Sequence, residues 1–376
     1  MKFISDMVFV GSGLSSTYTL IHYLLLLNKS ASNQLIKVLI IEKSNEFWTG
    51  IPYSAKAGYS SLIITSLKEF IPDPERSEFT SWLKKNIKTI FNDFLDNGGD
   101  LSERWMKKNK KAIDNNQWDD IFIPRYIFGL FLKNRVEVLL EEAVKNSKIE
   151  YAVNKAHVLN IEKEKEFYKI TACGVDNTKT NYYGKKVILS IGSPPKNYTD
   201  SKTAALSSFC LINDFYEPEI TENVKKIQAN LEQSDSLQQN NVLIIGSNAS
   251  ALEVIYNLND FPDLKGLINK FYVLSSAGTF PNRIDVNITD TYVPESLTQL
   301  KSYKTFTSKK IYEAVKKDVA FAEHKNRNIA DTFSAISTLV IELLNRLNSY
   351  QQKRFVAKYG VEIGSFRDVP EMNTWM

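Results

Sequence analysis

The chain opens with an apolar run, residues 3 to 10, interrupted only by Ser5 and Asp6. Two glycines one residue apart follow, and then a second apolar stretch from 14 to 28. A short uninterrupted run suits a strand covered on both faces, whereas the longer stretch has helical length. "LIKVLIIEK" (35 to 43) is again short and rich in β-branched residues, so it predicts a second strand. Strand, glycine turn, helix and strand make a βαβ unit, whose crossover is right-handed in nearly all proteins.

The pattern weakens from about residue 66 to 120, where "DNGGD" (96 to 100) marks a turn and polar stretches carry isolated tryptophans. This region predicts helical insertions or a flap over the sheet. Residues 124 to 147 have apolar positions three and four apart behind a starting proline, which predicts a helix. Alternation from 149 to 189 predicts strands of a small sheet, ending in the apolar "KKVILSIGSPP" (185 to 195). The polar stretch 229 to 241 predicts a linker. After it "VLIIGSNASALEVIYNL" (242 to 258) repeats the opening design, and "INKFYVLSS" (268 to 276) supplies its next strand. From 308 onward the chain reads as helical, with an apolar stripe at Ile336, Leu339, Val340, Leu343, Leu344 and Leu347.

The expected fold class is therefore α/β: two Rossmann-like dinucleotide-binding units with helical insertions and a mostly helical C-terminal segment. The expected boundaries are 1–228 for the first unit with its insert at about 66–120, 229–241 for the linker, and 242–376 for the second unit. A chain of 376 residues exceeds one ordinary core, which agrees with two domains.

Composition narrows the chemistry. With 43% hydrophobic and 24% charged residues and a net charge of +4, the chain has no basic stripe of the kind nucleic acid selects. Its two cysteines, Cys173 and Cys210, form no C-x-x-C pair, which argues against a dithiol centre or a thiolate metal site. "YTLIHYLLLL" (18 to 27) is too short to span a bilayer, and the first apolar run is broken too early for a signal peptide. The expectation is a cytoplasmic protein without a membrane span or a metal. Hydrolysis by a nucleophile has little support: His22, His157 and His324 sit in unlike contexts, and no G-x-S-x-G elbow occurs. His22, on the apolar helix, reads as a core or interface histidine. Asp285 and Asp290 read as solvated loop acids.

The glycine turns carry the sharper expectation. In a dinucleotide-binding turn the first glycine permits tight geometry, the second lets backbone approach a pyrophosphate, and the third position takes a small residue. Here these places are Gly11, Gly13 and Ser16. The helix opening with Leu14, Ser15 and Ser16 aims its unpaired amides at the phosphates, each dipole contact contributing about 0.3–1 kcal/mol. Glu42, followed by Lys43, ends the second strand, where a carboxylate accepts from ribose hydroxyls. It lies 29 positions past Gly13, beyond the usual ~20. The second turn is degraded: Gly246 and Ala251 fit, but Asn248 replaces the second glycine ahead of Ala249.

Several blocks in order, "VFVGSGLSS" (8 to 16), "LIIEK", "TGIPYS" (49 to 54), "IPRYIFGLFL" (123 to 132), "VILSIGSPP" and "VLIIGSNASALEV", resemble the FAD/NAD(P)-binding oxidoreductase family of the FAD-dependent urate hydroxylase type. That family is distantly similar to flavin-containing and N-hydroxylating monooxygenases. The late stretch 345 to 372, an aromatic-basic helix before R-x-x-P, resembles it too. The resemblance implies FAD at Gly11, Gly13 and Ser16, the adenosine ribose on Glu42, and Arg125 near the flavin. It makes Ser190, Ile191 and Gly192 the strand end where the chain passes between domains. Trp48 and Tyr53, flanking Gly50, are the aromatics expected at the ring system. NADPH or NADH is the implied reductant and a small molecule the substrate.

The chain also departs from the resemblance. Ser275 and Ser276 stand where members carry an arginine for the NADPH 2′-phosphate, with Arg283 as a substitute. Members continue past the R-x-x-P segment with a strand that completes the flavin domain. Here residues 355 to 376, or a partner chain or second copy, are expected to finish the pocket unless the sequence is a shortened form. Three readings stay open: an FAD-dependent monooxygenase, a catalytically lapsed binding or scaffolding protein, and a flavin-free NAD-dependent dehydrogenase.

Overall fold

The computed structural model describes residues 4–30, 34–192, 210–217, 219–233, 240–276, 278, 280, 292–325 and 329–364. Arg283, Asp285, Asp290 and the R-x-x-P segment lie outside these described residues, as does the centre of the expected linker.

In chain order the elements are β1 (Ile4–Val10), α1 (Leu14–Lys29), β2 (Ile36–Glu42), α2 (Leu67–Phe70), α3 (Glu75–Asn97), α4 (Asp100–Asp114) and α5 (Arg125–Lys145). Next come β3 (Ile149–Glu164), β4 (Phe167–Gly174), β5 (Lys179–Leu189) and α6 (Ile220–Leu231). The later part holds β6 (Asn241–Ile245), α7 (Ala249–Leu258), α8 (Pro262–Lys265) and β7 (Lys270–Leu274). Four helices end it: α9 (Glu295–Lys301), α10 (Ser308–His324), α11 (Ile329–Asn345) and α12 (Ser349–Gly364). The architecture is α/β. No helix among the described residues is long and apolar enough to cross a membrane.

Two compact units result. The first is Met1–Asn240 with Asn257–Ile268, and the second is Asn241–Tyr256 with Asn269–Met376. The second unit is thus not one continuous segment, as the sequence boundaries had it, because the chain returns to the first unit at 257–268. The reason is polar anchoring. Buried Asp260 accepts from the Ser60 hydroxyl and from the Leu101 amide at 2.9 Å, and Asn257 Nδ2 donates to Ser61 Oγ at 3.3 Å.

In the first unit β1 pairs in parallel with β2 and with β5, and β2 pairs in parallel with the first half of β3. Side chains on a strand alternate between faces. Phe9, Val38 and Ile40 accordingly enter the core that holds α1 and α5 residues, while Val8, Val10, Leu39 and Ile41 enter the opposite core with Ala156, Ile170 and Ala172. Both faces are covered, which is why these strands read as nearly continuous apolar runs. The strands from 149 to 189 do not form a small sheet of their own. β3 and β5 are long enough to serve both partners, so the five strands close as β1–β2–β3–β4–β5.

The insert is helical, and Trp105 and Trp118 are core residues within it. His22 is not a core residue: it is exposed on α1, stacked 6.2 Å from the Tyr18 ring. Its position falls on the solvent side of a helix whose Leu20, Ile21 and Leu24 are buried.

In the second unit β6 and β7 form a two-stranded parallel sheet, with Ile244, Phe271 and Val273 packed with Ala251, Val254 and Ile255 of α7. The last four helices have their own core, to which the predicted stripe contributes Ile336, Val340 and Leu343 as buried members. Within it the Asp318 carboxylate caps α9 through the amides of Ser296 and Leu297, at 2.8 and 2.9 Å.

Candidate functional site

The first turn is built by close approach of backbone. The Gly11 amide donates to Ile41 O at 2.8 Å, so the chain leaving β1 stays on β2. Gly11 has φ +90°, and a Cβ there would lie 2.2 Å from Ser190 O, at the end of β5. Only glycine fits both conditions. Gly13 is the N-cap of α1, with extended backbone and no side chain to cap the helix, and no acid stands in the first turn. The leading amides of Leu14, Ser15 and Ser16 therefore meet no capping side chain, the arrangement that accepts an anion.

Glu42 faces this turn. Its Oε2 accepts from the Ser12 amide at 2.7 Å and the Ser12 hydroxyl at 3.0 Å, and its Oε1 accepts from the Ser44 amide at 2.9 Å. Each carboxylate oxygen has more than one lone pair, so Oε1 in particular retains acceptor capacity for a further hydroxyl. Lys43 is directed elsewhere, onto Glu217 at 3.0 Å.

A loop from 48 to 57 lies on the turn. Trp48 has φ +80°, a backbone angle that costs a bulky residue about 1–3 kcal/mol. Its amide donates to Ser12 Oγ at 3.4 Å, and its carbonyl accepts from Thr17 Oγ1 at 2.8 Å. Of the Trp48 and Tyr53 side chains, expected at a ring system, Trp48 is a core side chain and Tyr53 is half-buried against the core. Trp48 is buried, and Tyr53 packs on Phe70 and Phe128. What meets the turn is Trp48 backbone. Beyond it Gly50 sits on Gly13, a Gly50 Cβ falling 3.1 Å from Gly13 Cα. Thr49, between them, is 6% exposed, and its Oγ1 has no hydrogen-bond partner.

The same loop reaches α5. Gly129 lets that helix approach until a Cβ would fall 1.8 Å from Tyr53 O. Arg125 opens α5 and its amide donates to Ser61 O at 2.7 Å. Burial pushes the Tyr53 phenol above its ordinary range, while the nearby Arg125 charge pulls the other way. Gly192 is exposed with φ +76°, two residues beyond the Ser190 that touches Gly11.

The second turn repeats the first in one respect: the Gly246 amide donates to Leu274 O at 2.8 Å, as Gly11 does to Ile41. It differs at the helix. Asn248 Oδ1 accepts from the Ala249 amide at 2.8 Å, so a side chain already occupies one donor that a phosphate needs. Thus Gly11, Gly13, the start of α1 and Glu42 converge in the first unit, and Gly246, Asn248 and Ala249 form a separate turn in the second. Sequence reading missed Ser12, Thr17 and Thr49. Small hydroxyl residues are common in turns, and the contacts that single out Ser12 and Thr17 join them to Glu42 and Trp48, 30 and 31 positions away.

The residues present fit a dinucleotide. The α1 start offers uncapped amides, Glu42 turns a carboxylate to the same loop, and Thr49 holds a buried hydroxyl without a partner, the donor and acceptor types that a diphosphate and a ribose use. The fold defines a protein built from two glycine-turn α/β units. Residues 8–194, just under half of the chain, match the family model described as FAD-NAD(P)-binding. Uncharacterized proteins of Mycobacterium tuberculosis and Mycobacterium bovis are 29% identical over 360 residues, which is 95% of this chain and 67% of theirs. Among solved structures, the reduced ornithine hydroxylase PvdA from Pseudomonas aeruginosa is 15% identical with a TM-score of 0.46, over 94% of this chain and 70% of that one. The FAD-bound cadaverine monooxygenase DfoA from Erwinia amylovora is 15% identical with a TM-score of 0.43, over 92% and 67%.

Proposed function

We propose that this protein holds FAD at the first glycine turn and acts as an FAD-dependent oxidoreductase, a flavin monooxygenase reduced by NADPH or NADH and acting on a small molecule. The observation that carries the reading is Glu42 on Ser12. It fixes a carboxylate beside an uncapped helix start, within a segment matching an FAD-NAD(P)-binding family. The amides at the start of α1 bind the diphosphate, and Glu42 accepts from the ribose. Thr49 offers its buried hydroxyl, and the Trp48–Gly50 backbone closes the loop over the turn. FAD supplies the redox chemistry, while the protein orients it and excludes water. The monooxygenase subtype and any kinship with urate hydroxylases rest on the sequence resemblance.

A second reading has its own observation. Asn248 capping α7 at Ala249 favours a protein whose nicotinamide site has lapsed, leaving a flavin-holding binding protein. Purified protein is expected to be yellow or to take up added FAD with quenching of flavin fluorescence, and NADPH or NADH to bleach it. Colourless protein that takes up no FAD sinks the first reading. Flavin that no nicotinamide bleaches selects the second. Glu42→Gln turns an amide NH2 toward the Ser12 or Ser44 donors, so it is expected to weaken FAD binding at least about tenfold.

A further inference from the structure

A helical threonine has a ready local acceptor for its hydroxyl, the carbonyl one turn earlier. Thr19 of α1 uses it, donating to Ser15 O at 2.8 Å. Thr17, on the same helix, does not. Its Oγ1 donates to Trp48 O at 2.8 Å, 31 positions along the chain, and lies 3.3 Å from Ser12 O. A hydroxyl has one proton, so the shorter contact is the principal bond. The residue it holds is strained. Trp48 has φ +80°, and a bulky side chain keeps such an angle only where its surroundings fix it. Three contacts do so: the ring lies in the core, the amide donates to Ser12 Oγ at 3.4 Å, and Thr17 holds the carbonyl. The amide bond is long, so the Thr17 bond is the firmer of the two.

We propose that Thr17 is a positioning residue for the dinucleotide, acting through the Trp48–Gly50 backbone. The inference rests on the reading that the first turn holds FAD. Thr17 is fully buried, 0% exposed, so it works through what it holds. Thr49 follows the held Trp48, and Gly50 beyond it is seated on Gly13, the N-cap of α1. Without the hydroxyl, Trp48 O loses this donor, and the backbone relaxes from φ +80° toward an angle that tryptophan prefers. That rotation displaces Thr49 and lifts Gly50 from Gly13. The Ser12 hydroxyl joins the ribose acid to the same segment. It gives its proton to Glu42 Oε2 at 3.0 Å and offers a lone pair to the Trp48 amide. Loop and carboxylate are thus set by one network, and Thr17 anchors the end remote from Glu42.

Amide hydrogen exchange of the cofactor-free protein, together with FAD titration by flavin fluorescence, tests this. Thr17→Val keeps the shape of the side chain and deletes the hydroxyl. It is expected to exchange at least about tenfold faster than the parent over residues 48–51, with the rest of α1 at the parent rate. Its FAD affinity is expected to fall at least about tenfold, and Thr17→Ser to recover both properties. Thr49→Val separates positioning from a merely structural role. It is expected to cost less FAD affinity in the Thr17→Val background than in the parent, because both act through one loop. Parent-rate exchange at 48–51 or parent-like FAD affinity in Thr17→Val overturns the proposal, as do additive losses in the double variant. A parent that takes up no FAD fails at an earlier step: it ends the reading of the turn, and the positioning role with it, even where exchange at 48–51 depends on Thr17. If Thr17→Val does not fold, Thr17→Ala is read by the same criteria.

Discussion

Gly11 and Gly13 stand two residues apart in one turn, yet a methyl group added to each meets different surroundings. At Gly13 the backbone has φ −73°, which any residue adopts, and a Cβ would lie 3.6 Å from Gly50 Cα, an ordinary contact. Replacing an N-cap glycine by alanine costs about 1 kcal/mol, because alanine is a poor cap. For a chain of this size that lowers the melting temperature by only about 1–2 °C. A diphosphate seated on the α1 amides has no such tolerance, since the methyl group stands where backbone must approach it. A loss of about 1.4 kcal/mol is already tenfold in affinity. At Gly11 alanine must hold φ +90° with its Cβ 2.2 Å from Ser190 O. The left-handed backbone costs about 1–2 kcal/mol, and forcing β1 away from β5 adds about 1–3 kcal/mol. Thermal melts without added cofactor and FAD titrations by fluorescence separate the two effects. Gly13→Ala is expected to melt close to the parent and bind FAD at least about tenfold more weakly. Gly11→Ala is expected to melt far lower whether FAD is present or not. Parent-like FAD affinity in Gly13→Ala would remove the turn from the site, and a parent-like melt in Gly11→Ala would refute the close approach.

Thr49→Val keeps the shape of the side chain and deletes a buried hydroxyl that has no partner. The protein without cofactor is expected to be as stable as the parent or up to about 1 kcal/mol more so, while FAD affinity falls; unchanged affinity in the same titration excludes Thr49 from the site. Asp260 titrates above its ordinary range because it is buried, although its bonds from Ser60 and Leu101 pull the other way. Its folded-state pKa thus exceeds its unfolded value, so its contribution to stability is fully present below about pH 4 and declines as pH rises through the folded value. Asp260→Asn lacks this slope. Urea unfolding at several pH values is expected to show the parent losing stability relative to the variant as pH rises, and a constant difference would contradict the burial argument.

Local pattern was enough for the elements of the turns. β1, α1 and β2 are legible because their apolar runs differ in length, and because Gly11 and Gly13 interrupt them where the backbone changes direction. β6, α7 and β7 repeat the pattern. The helix at 125–145 announced itself by period and by Pro124. The roles of side chains were less legible. Trp48 beside a glycine reads as a ring waiting for a ligand, but burial took the ring into the core and left its backbone at the turn. His22 on an apolar helix reads as a core or interface residue, and its angular position took it out of the core.

Composition and periodicity by themselves determined the α/β class, the two glycine turns and the acid at the end of β2. These are encoded between neighbours in sequence, where strand alternation, helix period and glycine's backbone freedom act over a few residues. Tertiary structure alone decided that β3 and β5 close the sheet with β1 and β2, that residues 257–268 return to the first unit, and that Glu42 is tied to Ser12. Those outcomes depend on hydrogen bonds and buried contacts between residues far apart in the chain. No local pattern records which distant donor will be left facing a given carboxylate.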